Sequence, residues 1–219
     1  MGEHQAGRTI TAVVFDYGGV FTPSPFAAAH AYATEQGADP EVLVRIVFGT
    51  YGTDSDHPWH RLERGELTFV DALTEIGEEA AAAGVRFDAG EMFGAMVDDD
   101  VDRTVVTESV RSLRARGIST AILTNNIREY GDHWRRRRGA DDLFDTVVDS
   151  CREGGRKPNP AIYELTLTRL DVQDPLQVVF LDDFEGNVVA ARGVGMHGIV
   201  VGPDPRLAIE ELHALIGAP

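Results

Sequence analysis

The chain has 219 residues, 43% of them hydrophobic, enough to bury one sizeable core or a core carrying a smaller inserted unit. Its 36 acidic residues against 20 basic ones leave a formal charge of -16, which argues against nucleic acid and anionic membrane as main partners. The lone Cys151 cannot close an internal disulfide and reads as a small buried or half-buried residue. The start "MGEHQAGRTITAVVF" lacks a basic stretch followed by a long apolar one, and Ala6 stands where a myristoylation signal at Gly2 needs Ser or Thr. No window approaches a membrane span, so a cytoplasmic location is expected.

In chain order, "TAVVF" predicts a strand ending at Phe15, followed at once by Asp16 and a glycine turn. From about Pro23 to Val97, helical stretches such as "PEVLVRIVFG" and "TFVDALTEIGEEAAAAG" follow each other with no convincing strand, and the acidic "DDDVD" leads back out. In "TVVTESVRSLRARG", Val106, Val110 and Leu113 recur at i, i+4, i+7 and Gly117 supplies the stop. Then come four more β-branched runs too short for helices: "TAILT" ending at Thr124, "TVVDS" ending at Ser150, "VVFL" before Asp182 and "GIVV" ending at Val201. Strands alternating with helices predict an α/β fold with a doubly wound parallel sheet. The expected division is a core of 1–22 and 98–219 with a helical insertion of 23–97. That insertion leaves from the C-terminal end of the first strand, the edge where α/β sheets bind ligands.

Four strand ends carry polar groups: Asp16, Thr124 with Asn125, Lys157, and Asp182 with Asp183. A parallel sheet brings these ends to one edge, so a nucleophile-capable carboxylate, a hydroxyl, a cation and an acidic pair face one crevice. Crowded carboxylates ionise together only beside a neutralising cation, and Mg²⁺ prefers such oxygen donors. A phosphate group held between that ion and Lys157 is the expected ligand, since an aspartate carboxylate can accept a phosphoryl group.

The ordered stretches "VVFDYGGV", "AILTNN", "GGRKPNPAIY" and "VVFLDDFEGNVVAARGVGM" resemble the four motifs of the haloacid dehalogenase superfamily, subfamily I with a helical cap, over nearly the whole chain. The last two also resemble the N-terminal phosphatase domain of soluble epoxide hydrolase, and "HRLERGELT" with the "DxGG" start resembles glucose-1-phosphate phosphatase-type members. The resemblance implies a Rossmann-like core and a Mg²⁺-dependent phosphomonoesterase acting on a small phosphorylated metabolite. Asp16 would attack phosphorus and form a phosphoaspartate, Thr124 and Asn125 would hold phosphoryl oxygens, and Lys157 would balance the charge. Asp183, Asp16 and the Gly18 carbonyl would ligate the metal, with Asp182 and Asn187 behind them or acting through water. Gly19 and His60 join Asn125 as expected substrate-binding residues.

Gly18 departs from the pattern, because most phosphatases of the superfamily carry there a second aspartate as acid and base. Such help is typically worth about 10² to 10⁴ in rate, or roughly 3 to 5 kcal/mol. Either the leaving group needs little protonation, as an anomeric sugar hydroxyl, acyl group or phenol does, or the cap supplies the acid from His57, His60, Glu63 or Glu66 in "HPWHRLERGE". Two other functions fit the motifs. A 2-haloacid dehalogenase-like carbon–halogen hydrolase uses the same aspartate but carries Tyr at the position of Gly18, and a noncatalytic relative would keep the phosphate pocket alone. His57, Trp59 and His60 suit a specificity patch or cap–core packing equally. "RRRR", Arg135 to Arg138, reads as a solvated helix end. "GVGMHG" has dinucleotide-site spacing but follows a helix and leads into a strand, the reverse of the order such a site requires. Oligomeric state is not legible.

Overall fold

The computed structural model describes residues 9–94, 102–131 and 140–217. "RRRR" and most of "DDDVD" lie outside them. Five strands form where the short apolar runs predict them, each within one residue: β1 (Ala12–Phe15), β2 (Ser119–Thr124), β3 (Thr146–Asp149), β4 (Val178–Asp182) and β5 (His197–Val200). All pair in parallel in the order β3-β2-β1-β4-β5.

The sheet is buried on both faces because successive side chains point to opposite sides and both sides are apolar. Val13, Phe15, Ile122, Val179 and Leu181 pack on Val106, Val110 and Leu113 of one helix and Ile209 and Leu212 of another. These helices are α6 (Thr104–Ala115) and α11 (Arg206–Leu215). On the opposite face Ala12, Val14, Leu123, Val148 and Phe180 meet Ile162, Tyr163 and Leu167 of α9 (Pro160–Arg169) and Ala191 of α10 (Glu185–Gly193). The predicted stop of α6 at Gly117 holds, with φ +74° and its N–H donating to Arg114 O.

Between β1 and α6 the described chain is helical: α1 (Pro25–Glu35), α2 (Pro40–Phe48), α3 (Pro58–Glu63), α4 (Phe69–Ala82) and α5 (Ala89–Gly94). The starts follow from local chemistry. Pro40 opens α2 behind Asp39, whose side chain accepts from Glu41 N, and Thr68 caps α4 by accepting from Asp71 N. These helices share an apolar cluster of their own, built on Leu43, Val47, Phe48, Leu62, Ile76 and Met92. Each such side chain contributes about 1.5–3 kcal/mol by leaving water. Ile127, just past β2, joins this cluster and ties it to the sheet. Two short helices, α7 (Ala140–Leu143) and α8 (Ser150–Glu153), flank β3.

Strand order reverses at β1, which has β2 on one side and β4 on the other. Such a switch point opens a crevice at the strands' C-terminal ends.

Candidate active site

Phe15 pairs with Leu181, so Asp16 and Asp182 leave neighbouring strands side by side, and Asp16 N–H donates to Leu181 O at 2.8 Å. One carboxylate oxygen from each of Asp16, Asp182 and Asp183 lies within 4.8 Å of the other two. Into this cluster comes Lys157, the chain's one lysine. Its ammonium is fully buried, 2.8 Å from Asp16 Oδ1 and 2.7 Å from Asp182 Oδ2. Burial opposes the charged ammonium, but the two carboxylates outweigh it and raise the Lys157 pKa.

Three carboxylates against one ammonium leave an excess of two negative charges. Burial, and then Asp182 and Asp183, push Asp16 well above the usual carboxylate range, although Lys157 pulls it down. Asp183 is pushed up to about 6, first by burial and then by Asp182. A divalent, oxygen-seeking cation would balance this excess, so the residues present fit Mg²⁺.

The three acids are not equivalent. Asp182 is saturated by protein donors: Phe184 N–H and Asn187 Nδ2 at Oδ1, Lys157 Nζ and Asn187 Nδ2 at Oδ2. Asp182 and Asn187 therefore form the rear wall that fixes Lys157. Asp183 and Asp16 are the acids that remain for a metal.

The two glycines of the turn differ. Gly19 has φ +71°, and a Cβ there would lie 2.0 Å from Asp183 Cγ and 2.6 Å from Asp183 Cβ. Its missing side chain is what lets Asp183 close on Asp16. Gly18 lies outside the left-handed region, and a Cβ there would meet only Pro25 Cδ at 3.9 Å. Backbone geometry thus permits a side chain at Gly18. Arg103, missed in the sequence, holds the turn by donating to Gly19 O at 2.7 Å and Val20 O at 3.2 Å.

Thr124 is buried at the end of β2, and its hydroxyl lies 3.5 Å from Asn125 O, a long contact that leaves it able to turn to another acceptor. The Asn125 side chain is committed to protein: Oδ1 accepts from Lys157 N, while Nδ2 donates to Lys157 O and to the Tyr51 hydroxyl. It grips the lysine's main chain and offers a ligand no uncommitted side-chain atom.

The cap histidines are also spent. His60 is fully buried, with Nδ1 accepting from Ser55 N–H and Nε2 positioned to donate to Phe48 O at 2.9 Å. Burial, then Arg156, lower its pKa to about 3, so it stays neutral. His57 caps α3, taking Trp59 N–H on Nδ1 with Nε2 against Ile46 O. Trp59 Nε1 donates to Glu63. Of the two roles open to this stretch, packing is the one its contacts describe. Glu63, a candidate acid, is buried and bonded to Tyr51, Trp59 and Arg156. Tyr51 and Arg156 escaped the sequence reading; the signal available was an arginine directly before the motif lysine.

The family model for haloacid dehalogenase-like hydrolases matches residues 10–195. The chain belongs to the haloacid dehalogenase-like hydrolases. Among relatives of this hydrolase, mouse acyl-CoA dehydrogenase family member 10 is 36% identical over 99% of the chain and 20% of its own length. Pig bifunctional epoxide hydrolase 2 is 30% identical over 95% of the chain and 39% of its own length. The chain thus spans between a fifth and two fifths of these larger proteins. The sesquiterpene phosphatase astK of Aspergillus oryzae is 28% identical over 95% of the chain and 98% of its own length. Among solved structures, an L-2-haloacid dehalogenase superposes with TM-score 0.65 at 18% identity, covering 94% of this chain and 100% of that one. A Bacteroides thetaiotaomicron family enzyme, solved with magnesium and inorganic phosphate, gives 0.57 at 18% identity, covering 89% and 95%. At these identities the structural likeness speaks for the fold.

Proposed function

We propose that this hydrolase is a Mg²⁺-dependent phosphomonoesterase for a small phosphorylated metabolite, working through a phosphoaspartate on Asp16. The observation that carries the reading is the buried Lys157 ammonium between Asp16 and Asp182, with Asp183 completing an excess of two negative charges. Asp16, Asp183 and the Gly18 carbonyl would hold Mg²⁺, which when bound supplies positive charge to the phosphoryl oxygens. Relatives named as phosphatases, and a family structure bound to magnesium and phosphate, support the same reading.

A carboxylate oxygen of Asp16 forms the bond to phosphorus while the bond to the leaving oxygen breaks, its electron pair departing with that oxygen. Lys157 favours the ionised form of Asp16 and holds it in line, and the Thr124 hydroxyl donates to a phosphoryl oxygen. Water then attacks phosphorus, releasing phosphate and restoring the carboxylate. With Gly18 in place of an acid and with Glu63 and His60 engaged elsewhere, the leaving group departs with little protonation. An anomeric sugar phosphate, acyl phosphate or aryl phosphate satisfies that demand. The helices of 23–97 act as the cap over a core of 1–22 and 98–219.

The test is a phosphate-release screen over sugar, acyl and aryl phosphates, with and without Mg²⁺. Release that needs the metal and disappears in Asp16→Asn is expected. Chelator-insensitive chloride release from 2-haloacids would replace the reading with carbon–halogen hydrolysis, and phosphate binding without turnover would replace it with a noncatalytic role.

A further inference from the structure

A buried polar chain runs from the α2–α3 region of the cap to the main chain of Lys157. Glu63, 3% exposed, accepts from Tyr51 OH at 2.8 Å, Trp59 Nε1 at 2.8 Å and Arg156 Nε at 2.7 Å. Arg156 is fully buried, stands over the Tyr51 ring at 4.6 Å, and donates Nη1 to Thr53 O at 3.1 Å. Tyr51 in turn accepts from Asn125 Nδ2 at 3.0 Å. Asn125 completes the path, bonded to both N–H and C=O of Lys157 at 2.8 and 3.0 Å.

We propose that Tyr51 and Glu63 are positioning residues for Lys157, so that the cap takes part in setting the lysine's place between Asp16 and Asp182. This rests on the phosphatase reading only for its kinetic consequence. Two adjacent residues are held from the cap by different means: Arg156 by an ion pair to Glu63 and a bond to Thr53, Lys157 by an amide whose orientation Tyr51 fixes. An Asn side chain presents donors on one side and an acceptor on the other, so the Tyr51 oxygen beside Nδ2 selects the orientation that bonds Lys157 both ways. Tyr51 can do this because it remains a phenol: burial, then Glu63, hold its pKa well above the usual value. Glu63 is the nearer of the two carboxylates that neutralise the guanidinium, at 2.7 Å from Nε against 3.9 Å from Nη1 to Asp54. Paired networks of this kind fix geometry through their satisfied groups, and in this one Arg156 Nη2 is the atom left without a hydrogen-bond partner among the described residues.

The test exploits Lys157 being the chain's one lysine, so ¹⁵Nζ-lysine labelling gives a single side-chain ammonium signal to follow. In Tyr51→Phe the ring and its packing stay while the hydroxyl goes. The expected result is a shifted or broadened Lys157 ammonium signal together with a kcat loss of ~10- to 100-fold at a KM within about twofold, the cost of slight misplacement of a reacting group. Glu63→Gln, which keeps an acceptor for Tyr51 but removes the charge, should move the same signal. An unchanged Lys157 signal in both variants, or a rise in KM with kcat intact, overturns the proposal and makes the network packing alone. If the wild type turns over no phosphate ester, the phosphatase reading fails, while the ammonium signal still decides whether the cap positions the lysine.

Discussion

Replacing Gly19 by alanine separates the two glycines of the nucleophile turn. A non-glycine residue in the left-handed region costs about 1–2 kcal/mol. The new Cβ would also fall 2.0 Å from Asp183 Cγ and 2.6 Å from its Cβ. A rotamer change can move Cγ, but only a backbone shift at the end of β4 moves Cβ, and that shift carries Asp183 away from Asp16. From conformation alone, a melting temperature lower by roughly 2–8 °C is expected for a chain of this size. Displacement of the acid adds a kcat loss on the order of 10². Gly18→Ala is the control, since its φ lies outside the left-handed region and its Cβ would meet nothing closer than 3.9 Å. It should be neutral or stabilising by up to about 1 kcal/mol. Calorimetric Mg²⁺ titration and thermal melts of both variants decide the matter. Wild-type Mg²⁺ affinity and turnover in Gly19→Ala would refute the view that this glycine exists to admit Asp183.

Gly18→Asp should fold, and by restoring an acid and base it should speed phosphoenzyme breakdown by up to about 10²; unchanged single-turnover kinetics would count against the open space at Gly18. Between pH 6.5 and about 3 the unfolded chain protonates His60 while the folded one does not. Stability from this residue is therefore present above pH 6.5 and lost on acidification, by up to about 1.4 kcal/mol per pH unit. His60→Asn should flatten that acid limb in denaturation titrations, and an identical slope would contradict the neutral, buried imidazole. For Asp183 the sign is opposite: its folded pKa of about 6 exceeds the ordinary 3.8, so metal-free stability falls as pH rises across that interval. On the proposed function Mg²⁺ would take the proton's place, so it should raise the melting temperature more at pH 8 than at pH 5; equal shifts would place the metal elsewhere.

The sheet was legible because its strands are short β-branched runs, buried on both faces and separated by helical patterns such as α6 with its stop at Gly117. The candidate site was legible because parallel strands bring Asp16, Thr124 and Asp182 to one edge whatever the loops between them do. Other features depend on contacts between distant residues that no periodicity records. Glu63 and Arg156 are 93 positions apart, and Asn125 and Tyr51 are 74 apart. Read locally, Glu63 and His60 look like uncommitted polar groups in a cap, yet folding buries both and uses up their hydrogen bonds. The Gly19 requirement was hidden for the same reason, since the atom it must avoid belongs to a residue 164 positions later.

The most direct measurement is a rapid-quench time course with an aryl phosphate and Mg²⁺. Departure of an aryl oxide needs little acid, whereas phosphoenzyme hydrolysis lacks the base that Gly18 omits, so the second step should limit turnover. The predicted result is a burst of the phenol near one equivalent per site, with acid-trapped phosphate on the peptide containing Asp16, both absent in Asp16→Asn. Steady phosphate release with no label on that peptide, or full turnover in Asp16→Asn, would contradict aspartate-based phosphoryl transfer.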